Sequence, residues 1–287
     1  MLMKQGTKTI PILMYHSISH STNSSYRALC VPPVLFTAQI DYLYRNAYTL
    51  LNVTQLVHAF IGKALLPERP VVLTFDDGFA DFYDHALPVL LHYNSTATLY
   101  IATDFVDRTS LWLRQERETG HPMLTWNQIA QISKSGIECG AHTHSHPKLD
   151  MLPLTRARKE ILHSKDLLEQ HLGREVTSFA YPYGYYTAGV RQLVKEAGFT
   201  SACATKYAMC SDTADYLALE RLMVTPTMNM RTFHALLTQE GYSPLRKAYV
   251  RARIPVKQVL RRSVASALRF HARIRGARYE EDSRYSP

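Results

Sequence analysis

Four clusters of residues in this chain have types and spacings that could do chemistry. In Thr74-Phe75-Asp76-Asp77-Gly78 an apolar run ends in two adjacent carboxylates and a glycine able to take a tight turn. Successive side chains diverge, so one carboxylate can bind a cation while the other stays free as a base nearby. On its own, the same sequence also describes a capped turn at a helix start. In His142-Thr143-His144-Ser145-His146, just before Pro147, three histidines fall within five residues. A His-x-x-x-His spacing at a strand-to-loop transition lets His142 and His146 converge as neutral imidazoles on one ion, with His144 directed elsewhere. A surface histidine cluster is the alternative. Joined by an upstream aspartate, the pair gives two nitrogens and one oxygen, the three-ligand count of a catalytic site with positions left for water and substrate.

The third cluster is Phe179-Ala180-Tyr181-Pro182-Tyr183-Gly184-Tyr185-Tyr186. Its tyrosines suit stacking against sugar rings, and the Pro-Tyr-Gly backbone can aim an N–H at a developing oxyanion, or simply form a tight turn packed by aromatics. The fourth, Ile12-Leu13-Met14-Tyr15-His16, runs an apolar strand into a histidine, which is either structural or placed to protonate a leaving amine.

These clusters need elements to position them. Apolar, β-branched runs at 10–15, 71–75, 97–101, 137–141, 178–181 and 200–204 read as strands. Between them, 36–47, 54–61, 81–93, 125–135, 154–172 and 188–197 have helical periodicity, and Gly136, Gly173 and Gly198 stand where C-terminal caps belong. Such βα alternation predicts a largely parallel sheet, as a barrel or a doubly wound fold, with functional groups at the carboxyl ends of strands. All four clusters begin at such ends. The stretches 17–25 and 107–122 read as long loops, either over the binding face or as solvated connections.

The apolar content of 46% over 287 residues suits one large α/β domain. The N-terminus lacks a signal-peptide core and no run approaches a membrane span, so a cytoplasmic protein is expected. Cys30, Cys139, Cys203 and Cys210 form no C-x-x-C pair and are expected as buried, reduced thiols. The net charge of +9 belongs to the C-terminal end: residues 246–278 hold eleven Lys/Arg and no acid, 280–287 net −2, and 1–245 are neutral. A neutral body with a basic tail argues against a nucleic-acid-binding fold. From Pro255 onward, Val256, Val259, Leu260, Val264, Ala267 and Leu268 recur at helical spacing among basic residues. The domain division expected is therefore 1–242 for the catalytic body and 243–287 for a basic amphipathic helix. That helix packs on the body, lies on an anionic membrane surface, holding the protein at the inner face, or, as the least favoured alternative, binds nucleic acid.

Taken together and in this order, the motifs resemble those of the polysaccharide deacetylase family, carbohydrate esterase family 4, over about residues 10–233. T-F-D-D-G is similar to its first motif, H-T-H-S-H to its H-[ST]-x-x-H motif, and residues 181–184 to the end of R-x-P-Y-G; Thr125-Trp126, Gly136 and Gly198-Phe199 also fit. The resemblance implies a NodB-like distorted (β/α)7 barrel, Asp76 as general base, and Asp77, His142 and His146 as ligands of a divalent metal, zinc before cobalt, nickel or iron. Two departures matter. Ala180 stands at the position of the third motif's arginine, so Arg221 is the expected substitute, and no L-x-H motif follows. The F-A-Y-P-Y-G and L-M-Y-H variants resemble the branch that includes poly-N-acetylglucosamine deacetylases, which makes His16 the implied acid and the Tyr183 N–H the oxyanion donor. The implied function is hydrolysis of N-acetyl groups on a sugar of an exopolysaccharide or another cell-surface glycan. The alternatives are deformylation or amide hydrolysis on a lipid-linked sugar or small molecule, and a catalytically silent glycan-binding protein.

Overall fold

The computed structural model describes residues 8–20, 26–114, 119–205 and 207–238; the expected tail helix and the 242/243 boundary lie outside them. Among the described residues ten strands form: β1 (Thr9–Ile10), β2 (Ile12–Tyr15), β3 (Thr49–Leu51), β4 (Pro70–Phe75), β5 (Thr98–Ile101), β6 (Glu138–Ala141), β7 (Ser178–Ala180), β8 (Ser201–Cys203), β9 (Cys210–Ser211) and β10 (Leu222–Met223). Seven α-helices accompany them among the same residues: α1 (Pro33–Arg45), α2 (Val53–Phe60), α3 (Leu87–His92), α4 (Trp126–Lys134), α5 (Leu154–Leu172), α6 (Ala188–Glu196) and α7 (Met230–Thr238).

The main sheet is parallel throughout, in the order β10-β2-β4-β5-β6-β7-β8. β3 pairs with residues 70–72 of β4 on the edge where β5 pairs with residues 74–75. The strands read as unbroken apolar runs because both faces are covered, and β2 and β5 are buried at every position. Closure comes from the segment 219–223. Leu219 bridges Cys203 beside β8, and three residues later Leu222 pairs with Leu13 of β2, so one short segment spans both edges of the curled sheet. The result is a distorted, seven-stranded β/α barrel.

Several ends follow from local chemistry. Asn52 with Gln55 and Thr125 with Gln128 form capping boxes that start α2 and α4, and Gly173 ends α5 in the left-handed conformation at φ 66°. Two expectations change in detail. The first strand is split at Pro11, which has no N–H to donate; β1 pairs antiparallel with β9, while β2 joins the barrel. The helix expected at 81–93 opens instead with a π-turn at Phe82–Ala86, because Pro88 cannot donate to the carbonyl four residues back, and the Leu87 N–H bonds to the Phe82 carbonyl. All four cysteines are buried thiols, and none is joined in a disulfide among the described residues.

Candidate active site

β4 delivers the two carboxylates. Its ladder continues one residue past Phe75, where the Asp76 N–H donates to the Tyr15 carbonyl at 3.1 Å. Asp77 then takes φ 79° and turns the chain. The two side chains part company. Asp76 is clamped by Arg221, whose Nη1 and Nη2 each donate to one carboxylate oxygen at 2.7 Å, a fork-on-fork pair that fixes its plane. Arg221 is fully buried; Nη1 also donates to Thr74 Oγ1 at 3.1 Å and Nε to the Ala204 carbonyl at 3.1 Å. Leu222 pairs with Leu13, two residues nearer the N-terminal end of β2 than Tyr15, so the Arg221 side chain rises through the barrel interior to reach Asp76.

Asp77 Oδ1 lies 3.4 Å from His142 Nε2 and 3.2 Å from His146 Nε2. His142 leaves the end of β6 and its Nδ1 donates to the Ala180 carbonyl at 2.8 Å, which leaves the Nε2 lone pair facing Asp77. His146 is brought round by a turn in which Thr143 (φ 65°) and His146 (φ 54°) are both left-handed, and its N–H donates to Thr143 Oγ1 at 3.1 Å. Glu160 of α5 holds the middle of this loop, accepting from Ser145 N–H at 2.8 Å and Ser145 Oγ at 2.7 Å. His144 points away, bonded at Nδ1 to Thr103 Oγ1 at 3.0 Å with its ring 4.4 Å from that of His163.

Asp77, His142 and His146 are buried, and each offers a ligand atom within 4.8 Å of the others, the single such group among the described residues. Two imidazole nitrogens and a carboxylate oxygen directed at one point fit a divalent cation of the zinc class. Buried His146 Nδ1 has no hydrogen-bond partner among the described residues. Burial pushes the Asp77 carboxyl up, but the His146 and His142 imidazoles more than reverse this and hold it well below the usual range. Burial likewise raises Asp76, and the Arg221 guanidinium, with His142 next, brings it below its ordinary value. For His142, burial is outweighed by the Asp77 hydrogen bond and the two carboxylates, and its pKa rises. For His146, burial prevails and its pKa falls. Both aspartates are therefore ionised at neutral pH, the form needed for a ligand and for a base.

These groups line a cavity of about 210 Å³. His16, half-buried at the end of β2, forms part of its wall, as do Tyr183, Tyr185 and Trp112. Tyr183 is left-handed (φ 59°) and 43% exposed, with its ring 4.9 Å from that of His146 and the Lys148 ammonium 5.0 Å from the ring centre. Trp112 approaches the His146 imidazole at 5.4 Å. All seven residues singled out in the sequence therefore reach one cavity or, for Arg221, the carboxylate in its wall. Sequence reasoning did not find Glu160, Thr74 or the Ala180 carbonyl, which act through contacts between distant elements and carry no local signal. Trp112 stood within a loop recognised as long but without an assigned task.

Similarity to known proteins bears on this arrangement. Residues 63–202 match the family model described as Polysaccharide deacetylase. YxkH of Bacillus subtilis (strain 168), a protein carrying the polysaccharide deacetylase name, is 29% identical over 229 residues, which are 79% of this chain and 76% of that protein. The poly-beta-1,6-N-acetyl-D-glucosamine N-deacetylase of Staphylococcus aureus (strain MSSA476) is 24% identical over 218 residues, 73% of this chain and 68% of its own length. The Streptococcus pyogenes deacetylase PplD, solved in complex with acetate, superposes with a TM-score of 0.70 at 28% identity, covering 80% of this chain and 99% of PplD. The barrel, the order of its motifs and these similarities agree: the chain resembles the polysaccharide deacetylase family, whose model matches just under half of its length.

Proposed function

We propose that this protein hydrolyses N-acetyl groups on an N-acetylated glycan, with a divalent cation held by Asp77, His142 and His146. The observation that carries the reading is the separation of tasks at the end of β4: Asp77 faces two imidazole nitrogens, while the adjacent Asp76 is ionised and oriented by Arg221. A cation in that set supplies Lewis-acid polarisation of the acyl oxygen and acidifies water. Asp76 takes a proton from the attacking water, and the Tyr183 backbone N–H is assigned to the developing oxyanion. His16 gives its proton to the nitrogen as the C–N bond breaks, releasing acetate and an amine. The substrate class is supported by the name of the Staphylococcus aureus relative and by the tyrosine-rich rim, whose rings suit sugar faces. The basic segment 246–278 is assigned an anionic membrane surface as partner, on its charge alone.

The test combines acetate release from β-1,6-linked N-acetylglucosamine oligomers with bound-metal analysis. Asp77→Ala is expected to lose both metal and activity, and Asp76→Asn to keep metal while turnover falls by about a hundredfold or more. Full activity in Asp76→Asn overturns the assignment of the base. Stoichiometric metal in the unaltered protein with no acetate released from any N-acetyl glycan overturns the activity.

A further inference from the structure

Asp81 lies four residues beyond Asp77, outside the cation-binding set, and the reaction outlined above gives it no task. Its carboxylate faces the segment that follows His16. Oδ2 accepts from Ser17 Oγ at 2.5 Å, and Oδ1 accepts from the Ile18 N–H at 3.0 Å. Ser17 is fully buried and is held on its other sides as well, its N–H donating to the Leu29 carbonyl at 3.2 Å and its carbonyl accepting from the Val31 N–H at 2.9 Å. On the near side, the Tyr15 carbonyl is fixed by the Asp76 N–H. His16 is thus the single residue between the barrel ladder and a second anchor, and its imidazole lines the cavity containing Asp76 and Asp77. Burial pushes the Asp81 carboxyl up against the lowering effect of the Ser17 and Ile18 hydrogen bonds, as expected of a group withdrawn from water into an anchoring role.

We propose that Asp81 is a positioning residue for the proton donor: by gripping Ser17 and Ile18 it holds the backbone of His16 so that the imidazole stays at the departing nitrogen. The proposal rests on the reading of His16 as the acid. In the step concerned the C–N electron pair moves to nitrogen, and nitrogen takes the His16 proton. An amine cannot leave without that proton, whereas a nitrophenolate can. A fault confined to the donor therefore slows amide hydrolysis and spares an activated ester, and a displacement of about 1 Å is enough for a large loss.

The experiment compares the metal-loaded, 287-residue protein with Asp81→Ala, Asp81→Asn, Ser17→Ala and His16→Ala. Acetate release from N-acetylglucosamine oligomers and hydrolysis of 4-nitrophenyl acetate are measured on the same preparations, with bound metal. The amide-to-ester ratio does not depend on the fraction of protein folded, so partial misfolding leaves it readable. In Asp81→Ala and Ser17→Ala the ratio is expected to fall by about tenfold or more through kcat, with KM and metal content retained. Asp81→Asn restores much of the ratio, because its amide oxygen can accept from Ile18 while its nitrogen donates to the Ser17 oxygen. An unchanged ratio in Asp81→Ala and Ser17→Ala, with His16→Ala lowering it, overturns the role of Asp81 and leaves His16 as the acid. An unchanged ratio in His16→Ala overturns the reading of His16, and the role of Asp81 with it.

Discussion

The Asp76–Arg221 pair sets the terms at the scale of single residues. Both partners are withdrawn from water, at 4% and 0% exposure, so removing one leaves the other charged and uncompensated. Arg221→Met, close in volume but neutral, is expected to cost about 3–5 kcal/mol, read as a lower urea midpoint. The pair also gives stability a pH dependence of known sign. Asp76 is held below its ordinary value of 3.8, so its contribution is complete above that pH and is lost as pH falls through the lower folded value. In Arg221→Met, burial acts on Asp76 with less opposition, its pKa rises, and the acid limb of kcat/KM should move to higher pH. An unshifted limb would show that Arg221 does not govern the base.

Among the elements, the loops at strand ends hold strain that regular structure would not. Asp77, Thr143, His146 and Tyr183 all have positive φ without being glycine, and all four sit in the loops that build the site. Each such residue costs on the order of 1–3 kcal/mol, sustained by contacts such as Glu160 on Ser145. Gly184 carries a further restriction, since it is left-handed at φ 71° and a Cβ there would lie 2.6 Å from the backbone nitrogen of Thr205. Gly136 is as strongly left-handed, at φ 88°, but a Cβ there would meet nothing within 4 Å. Comparing the two alanine variants separates backbone conformation from crowding. Gly136→Ala should lower stability by about 1 kcal/mol, and Gly184→Ala by more, each kcal/mol lowering Tm by roughly 2–4 °C. Only Gly184→Ala should also depress acetate release, because it moves Tyr183. Equal melting shifts would exclude the close approach to Thr205 as the cause.

Over the whole molecule, charge is separated from chemistry. The barrel and its cavity belong to a neutral stretch of sequence, and the net +9 resides beyond residue 245. Each basic residue near an anionic bilayer contributes about 1 kcal/mol, within a range set by salt screening. The 287-residue chain is therefore expected to co-sediment with vesicles containing anionic lipid at low salt and to release at high salt, while a chain ending at Tyr242 stays in solution. Equal partitioning of the two would remove the membrane as partner of the tail.

By itself the sequence determined the β/α alternation, the six principal strands and the carboxyl-end location of the chemistry, because these rest on periodicity and on motifs contained in a few consecutive residues. His142 and His146 are four residues apart, and Asp76 and Asp77 are adjacent, so their convergence was legible in spacing. What only the tertiary structure decided are the relations between distant segments. β3 and β10 have three and two residues, too short for any periodic signal, yet β10 and the residues just before it close the barrel and bring Arg221 to Asp76 across 145 positions of sequence. The Ala180 carbonyl that sets the His142 tautomer and the Asp81 carboxylate that anchors the turn after His16 belong to the same class. Their partners are neighbours through the curl of a parallel sheet, and no local pattern of residues records which strands that curl places side by side.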